Sequence, residues 1–188
     1  MPIDAIRQQL EVNLIGHIRM TQRLLPLIRQ GRGRIVNTTS ILGRVAAPFA
    51  GPYAMSKYAM EAFTDTLRME LYPDGIHVIA IEPGTIATPI WDKAITHTQA
   101  IASEMPPMTQ EIYADDLDRY YNLVQRQQGR AISPDAVAQK VTHAFTANRP
   151  RARYVVGTDA RLLSVLRTLL PDRAFDWTLN RLYPIIKR

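Results

Sequence analysis

Apolar positions recur along this chain with two different periods. Ile6, Leu10, Leu14, Ile18 and Leu25, with Asn13 among them, fall at three- and four-residue steps. That spacing predicts one long helix over residues 3–30, stopped by Gly31, with Pro26 able to kink its last turn. The next run, Gly33-Arg34-Ile35-Val36-Asn37-Thr38-Thr39-Ser40, is short and β-branched after a glycine turn, as a buried strand requires. Residues 41–52 hold two glycines and two prolines and read as a loop. A helical period returns from Tyr53 to Leu71 and closes on Pro73-Asp74-Gly75. Ile76-His77-Val78-Ile79-Ala80-Ile81 is a second continuous apolar strand, ended by Pro83-Gly84.

Strand, long helix, strand is a βαβ unit, so the two strands are expected to be parallel, in a sheet covered by helices. The stretch 85–132 is less regular and rich in Met, Pro and acids; it reads as a helical insertion with mobile loops on the substrate side. Ser133-Pro134-Asp135 begins another helix, with Ser as cap, Pro in the first turn and an acid to meet the helix dipole. That helix is expected to run to Asn148. Tyr154-Val155-Val156-Gly157 reads as a third strand, and 158–188 as basic amphipathic helix. The whole chain, 1–188, reads as a single α/β domain.

Charge alters this picture little. The net charge is +6, but residues 1–148 hold 14 basic and 14 acidic side chains. The excess lies in residues 149–188, with nine basic and three acidic. These cations are interleaved with Leu, Trp and Tyr, which argues against nucleic acid as a partner. The stripe of Leu162, Leu163, Leu166, Leu169 and Leu170 is expected to pack on the domain; contact with a membrane surface is the other reading. There is no cysteine, hence neither disulfide nor thiolate chemistry, and no cluster of metal ligands; no metal is expected. The acidic N-terminal segment has no signal-peptide pattern, and a cytoplasmic location is expected.

The chemistry gathers around Tyr53 and Lys57. Their four-residue spacing puts both on one helix face. A phenol with an ordinary pKa of about 10 transfers protons poorly near neutrality, and a neighbouring ammonium favours its ionised form. The pair alone also suits any solvated helix. Ser40 ends the preceding strand and Pro83-Gly84-Thr85-Ile86-Ala87-Thr88 follows the next, so both open onto the carboxyl edge of the sheet, where open α/β folds bind ligands. A Ser40 hydrolase partnered by His17, His77, His97 or His143 has no Gly-x-Ser-x-Gly elbow to support it.

Ile35–Ser40, Gly51-Pro52-Tyr53-Ala54-Met55-Ser56-Lys57 and Pro83–Thr88 resemble the catalytic-half motifs of the short-chain dehydrogenase/reductase family, and Val12-Asn13-Leu14 resembles its asparagine-bearing helix. The resemblance covers residues 1–160. It implies the C-terminal part of a Rossmann-type doubly wound parallel sheet and hydride transfer between an alcohol or ketone and NAD or NADP. It further implies a tetrad. Tyr53 is the acid/base, and Lys57 holds the nicotinamide ribose and lowers the tyrosine pKa. Ser40 orients the substrate carbonyl, and Asn13 anchors a water in a relay to Lys57. Pro83, Gly84, Ile86 and Thr88 lie along the nicotinamide by the same resemblance, with Ile86 backbone and Thr88 hydroxyl on its carboxamide. Lys57–Arg68 most resembles members acting on retinol or steroids, and Trp91 with nearby Met and Ile reads as lining for an apolar substrate.

The sequence departs from the family in lacking its glycine-rich pyrophosphate turn: no Gly-x-x-x-Gly-x-Gly occurs. The N-terminal dinucleotide-binding βαβ units are read as absent, through a mis-set start, a fragment or a genuinely short protein. Strand 34–40 is then expected to lack partners along one edge and on one sheet face, and activity to be impaired. The family also implies a homodimer or homotetramer through its two long helices, so a non-catalytic oligomerisation or binding module is the alternative.

Overall fold

The computed structural model describes residues 3–185. The first helical stretch comprises α1 (Ile3–Leu10), a π-helical turn (Glu11–Ile15) and α2 (Gly16–Gln30). The π turn was not expected: the Gly16 N–H bonds back five residues to the Glu11 carbonyl, widening the helix around Asn13. Gly31 stops α2, its N–H donating to the Leu27 carbonyl. Strand β1 (Arg34–Thr38) follows, then a 3₁₀ turn (Ile41–Gly43) and helix α3 (Gly51–Glu70), which starts two residues before Tyr53 with Pro52 in its first turn. Strand β2 is His77–Pro83.

The 85–132 stretch is more regular than its composition predicts, holding α4 (Ile90–Ser103) and α5 (Pro107–Gln128). Helix α6 (Asp135–Thr146) starts as expected: the Ser133 hydroxyl accepts from the Asp135 N–H at 3.2 Å. Strand β3 (Arg153–Val156) leads to α7 (Thr158–Leu169) and α8 (Asp172–Leu182), separated at Pro171.

The sheet is parallel, in the order β1-β2-β3. Ile35 and Val78 point to one face, where Leu67 of α3, Leu71 just past its end, and Leu25 and Ile28 of α2 cover them. Ile79, Ile81 and Val156 point to the other, under Ala144, Val137 and Val141 of α6. Both faces are thus covered, which corrects the expectation of one bare face. Three helices suffice because a three-stranded sheet is narrow. The outer edge of β1 is unpaired among the described residues. The C-terminal leucine stripe divides. Leu163, Leu166 and Leu170 pack around Ile41, Val45 and Phe175, whereas Leu162 and Leu169 face solvent.

Candidate active site

The carboxyl ends of β1 and β2 are pinned together before any functional side chain is placed. The Thr39 N–H and hydroxyl both donate to the Ile81 carbonyl, at 2.8 and 3.0 Å. Ser40 follows in extended conformation and is buried, its hydroxyl accepting from the Leu42 N–H at 3.1 Å. The 3₁₀ turn then presses on α3: a Cβ on Gly43 would sit 2.8 Å from the Lys57 carbonyl and 2.9 Å from Glu61 Cγ. No side chain fits there. This contact brings Ser40 against the first turns of α3, where Tyr53 and Lys57 lie.

Lys57 is buried, its Nζ donating to the Thr38 carbonyl at 3.1 Å and standing 5.6 Å from the Tyr53 ring centre. Burial holds its pKa below the usual lysine value, against an opposing pull from the Glu61 carboxylate one helical turn on. Burial pushes the Tyr53 hydroxyl up, and hydrogen bonding to Ser40 works in the opposite direction without overcoming it. The chain by itself therefore does not acidify Tyr53, as the resemblance implies it should: loss of hydration outweighs the neighbouring groups.

Asn13 reaches the same place from the π turn. Its Nδ2 donates to Ser56 Oγ at 3.1 Å, and that hydroxyl donates to the Tyr53 carbonyl at 2.7 Å. Ser56 is wholly buried and was not singled out in the sequence. All four expected side chains, Asn13, Ser40, Tyr53 and Lys57, thus converge on the start of α3.

The Pro83–Thr88 segment lies beside them at the end of β2. Its shape is set by Asp159, a residue that sequence reasoning missed. Asp159 Oδ2 accepts the Thr85 N–H at 2.8 Å, and a Cβ on Gly84 would lie 2.5 Å from the same carboxylate. Ile86 is buried and bridges Ile132, and its carbonyl accepts the Trp91 indole N–H at 2.7 Å. Trp91 thus fastens the start of α4 to this segment. Thr88 is half-buried at the entrance to α4.

A second missed feature lies behind Lys57. Arg153 of β3 binds Glu61, Asp65 (2.6 Å) and the fully buried Glu82 (2.6 Å). Burial alone would lower the Arg153 pKa, but Glu61 and Glu82 hold it above the ordinary value. Glu61 Oε1 is buried without a hydrogen-bond partner among the described residues. These carboxylates anchor α3 to β2 and β3, and the first of them sits one turn after Lys57. Only their distance in sequence hid them.

Among known proteins, the profile of the family described as short chain dehydrogenase matches residues 1–99. Retinol dehydrogenase 5 of Mus musculus is 39% identical over 186 residues, covering 96% of this chain and 58% of the relative. The 17-beta-hydroxysteroid dehydrogenase type 6 of Bos taurus is 39% identical over 188 residues, covering 97% and 58%. The chain thus spans under two thirds of the length of these relatives. Two solved structures share the fold. A short-chain dehydrogenase from Streptomyces avermitilis superposes with a TM-score of 0.69 at 22% identity, over 100% of this chain and 64% of that one. A 3-oxoacyl-[acyl-carrier protein] reductase from Brucella melitensis with bound NAD gives a TM-score of 0.57 at 28% identity, over 82% and 51%.

Proposed function

The chain belongs to the short-chain dehydrogenase family, and from that premise we propose that it carries the proton-transfer half of an NAD(P)-dependent oxidoreductase acting on an alcohol or ketone. One observation carries the reading: Ser40, Tyr53 and Lys57 meet at the carboxyl edge of a parallel sheet.

The residues fit the nicotinamide end of such a cofactor. An ammonium has three N–H donors, and Lys57 spends one on the Thr38 carbonyl. The others suit a ribose diol, with the Tyr53 hydroxyl alongside. Pro83, Gly84, Ile86 and Thr88 supply a wall for the ring, held in place by Asp159 and Trp91. The cofactor, when bound, gives or takes the hydride. A positively charged ring in its oxidised form would favour the Tyr53 phenolate.

In this reading Ser40 Oγ donates to the substrate oxygen and holds it beside the phenol. Tyr53 gives its proton to that oxygen during ketone reduction and takes one during alcohol oxidation. Lys57 favours the phenolate, and Asn13, through Ser56, fixes the backbone carbonyl of Tyr53. Asn13 also anchors water in the relay towards Lys57. The named activities of the retinol and hydroxysteroid relatives favour an apolar alcohol. The choice between NAD and NADP belongs to residues that contact the adenosine half. Because the described residues recognise only the nicotinamide end, the 188-residue polypeptide alone is expected to turn over weakly. We assign it to the cytoplasm, a placement checked by imaging of the tagged chain.

The test is a chimera in which residues 1–188 replace the matching part of a full-length relative. It is assayed by nicotinamide absorbance with retinol and hydroxysteroids, and Tyr53→Phe is expected to abolish turnover. A folded, cofactor-binding chimera without activity, or one equally active with Phe at position 53, overturns the proposal.

The second reading, an oligomerisation module forming a homodimer or homotetramer, is favoured by apolar side chains left exposed on the two long helical stretches. Val12, Met20, Leu24 and Leu27 stand out on the first, and Met55 and Met69 on α3. Sedimentation of the native chain against Leu24→Glu/Leu27→Glu tests it.

A further inference from the structure

A basic concavity lies away from the proposed reaction site, on the far strand of the sheet. A cavity of about 500 Å³ is lined by Lys140 and His143 of α6, Arg151, Arg153 and Tyr154 at β3, and Arg161 of α7. It lies along the outer strand of the described sheet, with β2 between it and β1. Arg153 is committed to Glu61, Asp65 and Glu82. Lys140, Arg151 and Arg161 form no salt bridge among the described residues, although they come from three separate segments. Two of them belong to residues 149–188, which hold the whole basic excess of the chain.

The cavity wall also holds a hydrogen-bonded Tyr154–His143 pair. The buried Tyr154 hydroxyl accepts the Arg151 N–H at 3.1 Å and lies 2.8 Å from His143 Nδ1. The contact holds the His143 ring in the cavity wall. The same Arg151 N–H contact fixes the turn that carries the Arg151 side chain.

We infer that this cavity binds a phosphate-type dianion. Three cations without a salt bridge among the described residues exceed what a single carboxylate can satisfy. A phosphate monoester offers three terminal oxygens and about two negative charges to groups arriving from different directions. Arginine and lysine held on separate elements also keep their mutual repulsion unless such an anion enters, so an anion is bound with gain and a neutral ligand is not. The group can come from a soluble phosphorylated compound or from a phosphorylated lipid headgroup, and the chemistry is the same.

The four histidines allow a direct test. Inorganic phosphate is titrated into the 188-residue chain at constant pH and about 150 mM chloride, where weak surface attraction is screened, and histidine side-chain resonances are followed by NMR. A saturable shift of His143 is expected, with His17, His77 and His97, which stand on α2, β2 and α4, unmoved. In Lys140→Gln/Arg161→Gln, checked for native circular dichroism, the midpoint is expected to rise about tenfold. Absence of a saturable shift, equal shifts of all four histidines, or an unchanged midpoint in the double variant overturns the inference. Flotation with phosphatidylcholine vesicles, with and without a phosphoinositide, assigns the source. Co-flotation only with phosphoinositide, lost in the double variant, identifies a headgroup; NMR binding without flotation identifies a soluble phosphate compound.

Discussion

Asn13 and Ser56, 43 positions apart in sequence, are joined side chain to side chain at 3.1 Å, and the Ser56 hydroxyl passes on to the carbonyl of Tyr53. The contact is made from the π turn of the first helical stretch. Asn13 lies inside this turn, on the same face as Leu10 and Leu14. Asn13→Leu is expected to lower stability by about 1 kcal/mol, because one partner of a part-buried pair is lost. Urea unfolding monitored by circular dichroism checks it. In the active chimera, the same substitution is expected to slow turnover more than it weakens cofactor binding.

Gly43 is the point where the 3₁₀ turn touches α3. A methyl group there meets the backbone carbonyl of Lys57, which cannot swing aside. Gly43→Ala is therefore expected to cost about 1–3 kcal/mol, as overpacking generally does. The Gly51→Ala control, where nothing lies within 4 Å, is expected to be far milder. Thermal melts of the two variants side by side decide the matter, and equal losses would refute the close-contact account.

Arg153 holds three carboxylates, one of them on the fully buried Glu82. Arg153→Met leaves those charges without their partner, and a loss of about 3–5 kcal/mol is expected. Adding Glu82→Gln to Arg153→Met should recover part of that loss, since one stranded charge goes with it. A double-mutant cycle in urea measures the recovery.

Tyr53 and Lys57 predict opposite responses to alkali. Burial raises the Tyr53 pKa above 10.0, so above that pH the unfolded chain loses its proton first and the folded chain still holds it. Native protein should then lose stability relative to Tyr53→Phe as pH rises past 10.0. Burial lowers the Lys57 pKa below 10.5, so between its folded value and 10.5 the unfolded chain binds the extra proton. Native protein should gain stability relative to Lys57→Met as pH rises through that window. Chemical denaturation of both pairs across alkaline pH reads the two slopes, and slopes of the same sign contradict the burial of one of the residues.

Phe49, in the loop before α3, has a positive φ of 62° and rests its ring on Tyr120 and Tyr113 of α5. The contact ties the approach to Tyr53 to the α4–α5 insertion. Phe49→Gly loses the ring but relieves the backbone, whereas Phe49→Ala loses the ring and keeps the strain. Phe49→Ala is expected to be the less stable by about 1 kcal/mol. Limited proteolysis should cut α5 faster in both, which locates the loosening.

Much of the site was legible in sequence because its chemistry is local. Tyr53 and Lys57 share a helix face through their spacing alone, and Ser40 and Pro83–Thr88 follow apolar strands whose parallel pairing forces them to one edge. The single α/β sheet of three strands could be read for the same reason, since β-branched runs and helical periods are properties of neighbouring residues. Contacts between residues far apart in the chain carry no such period. Only the tertiary structure brought Asp159 to Gly84 and Thr85, Ser56 to Asn13, and Arg153 to Glu61, Asp65 and Glu82. It also decided the electrostatics at Tyr53. The spacing of the lysine argues for a lowered phenol pKa, but the cost of removing water depends on everything packed around the group, and at Tyr53 that cost is the larger effect.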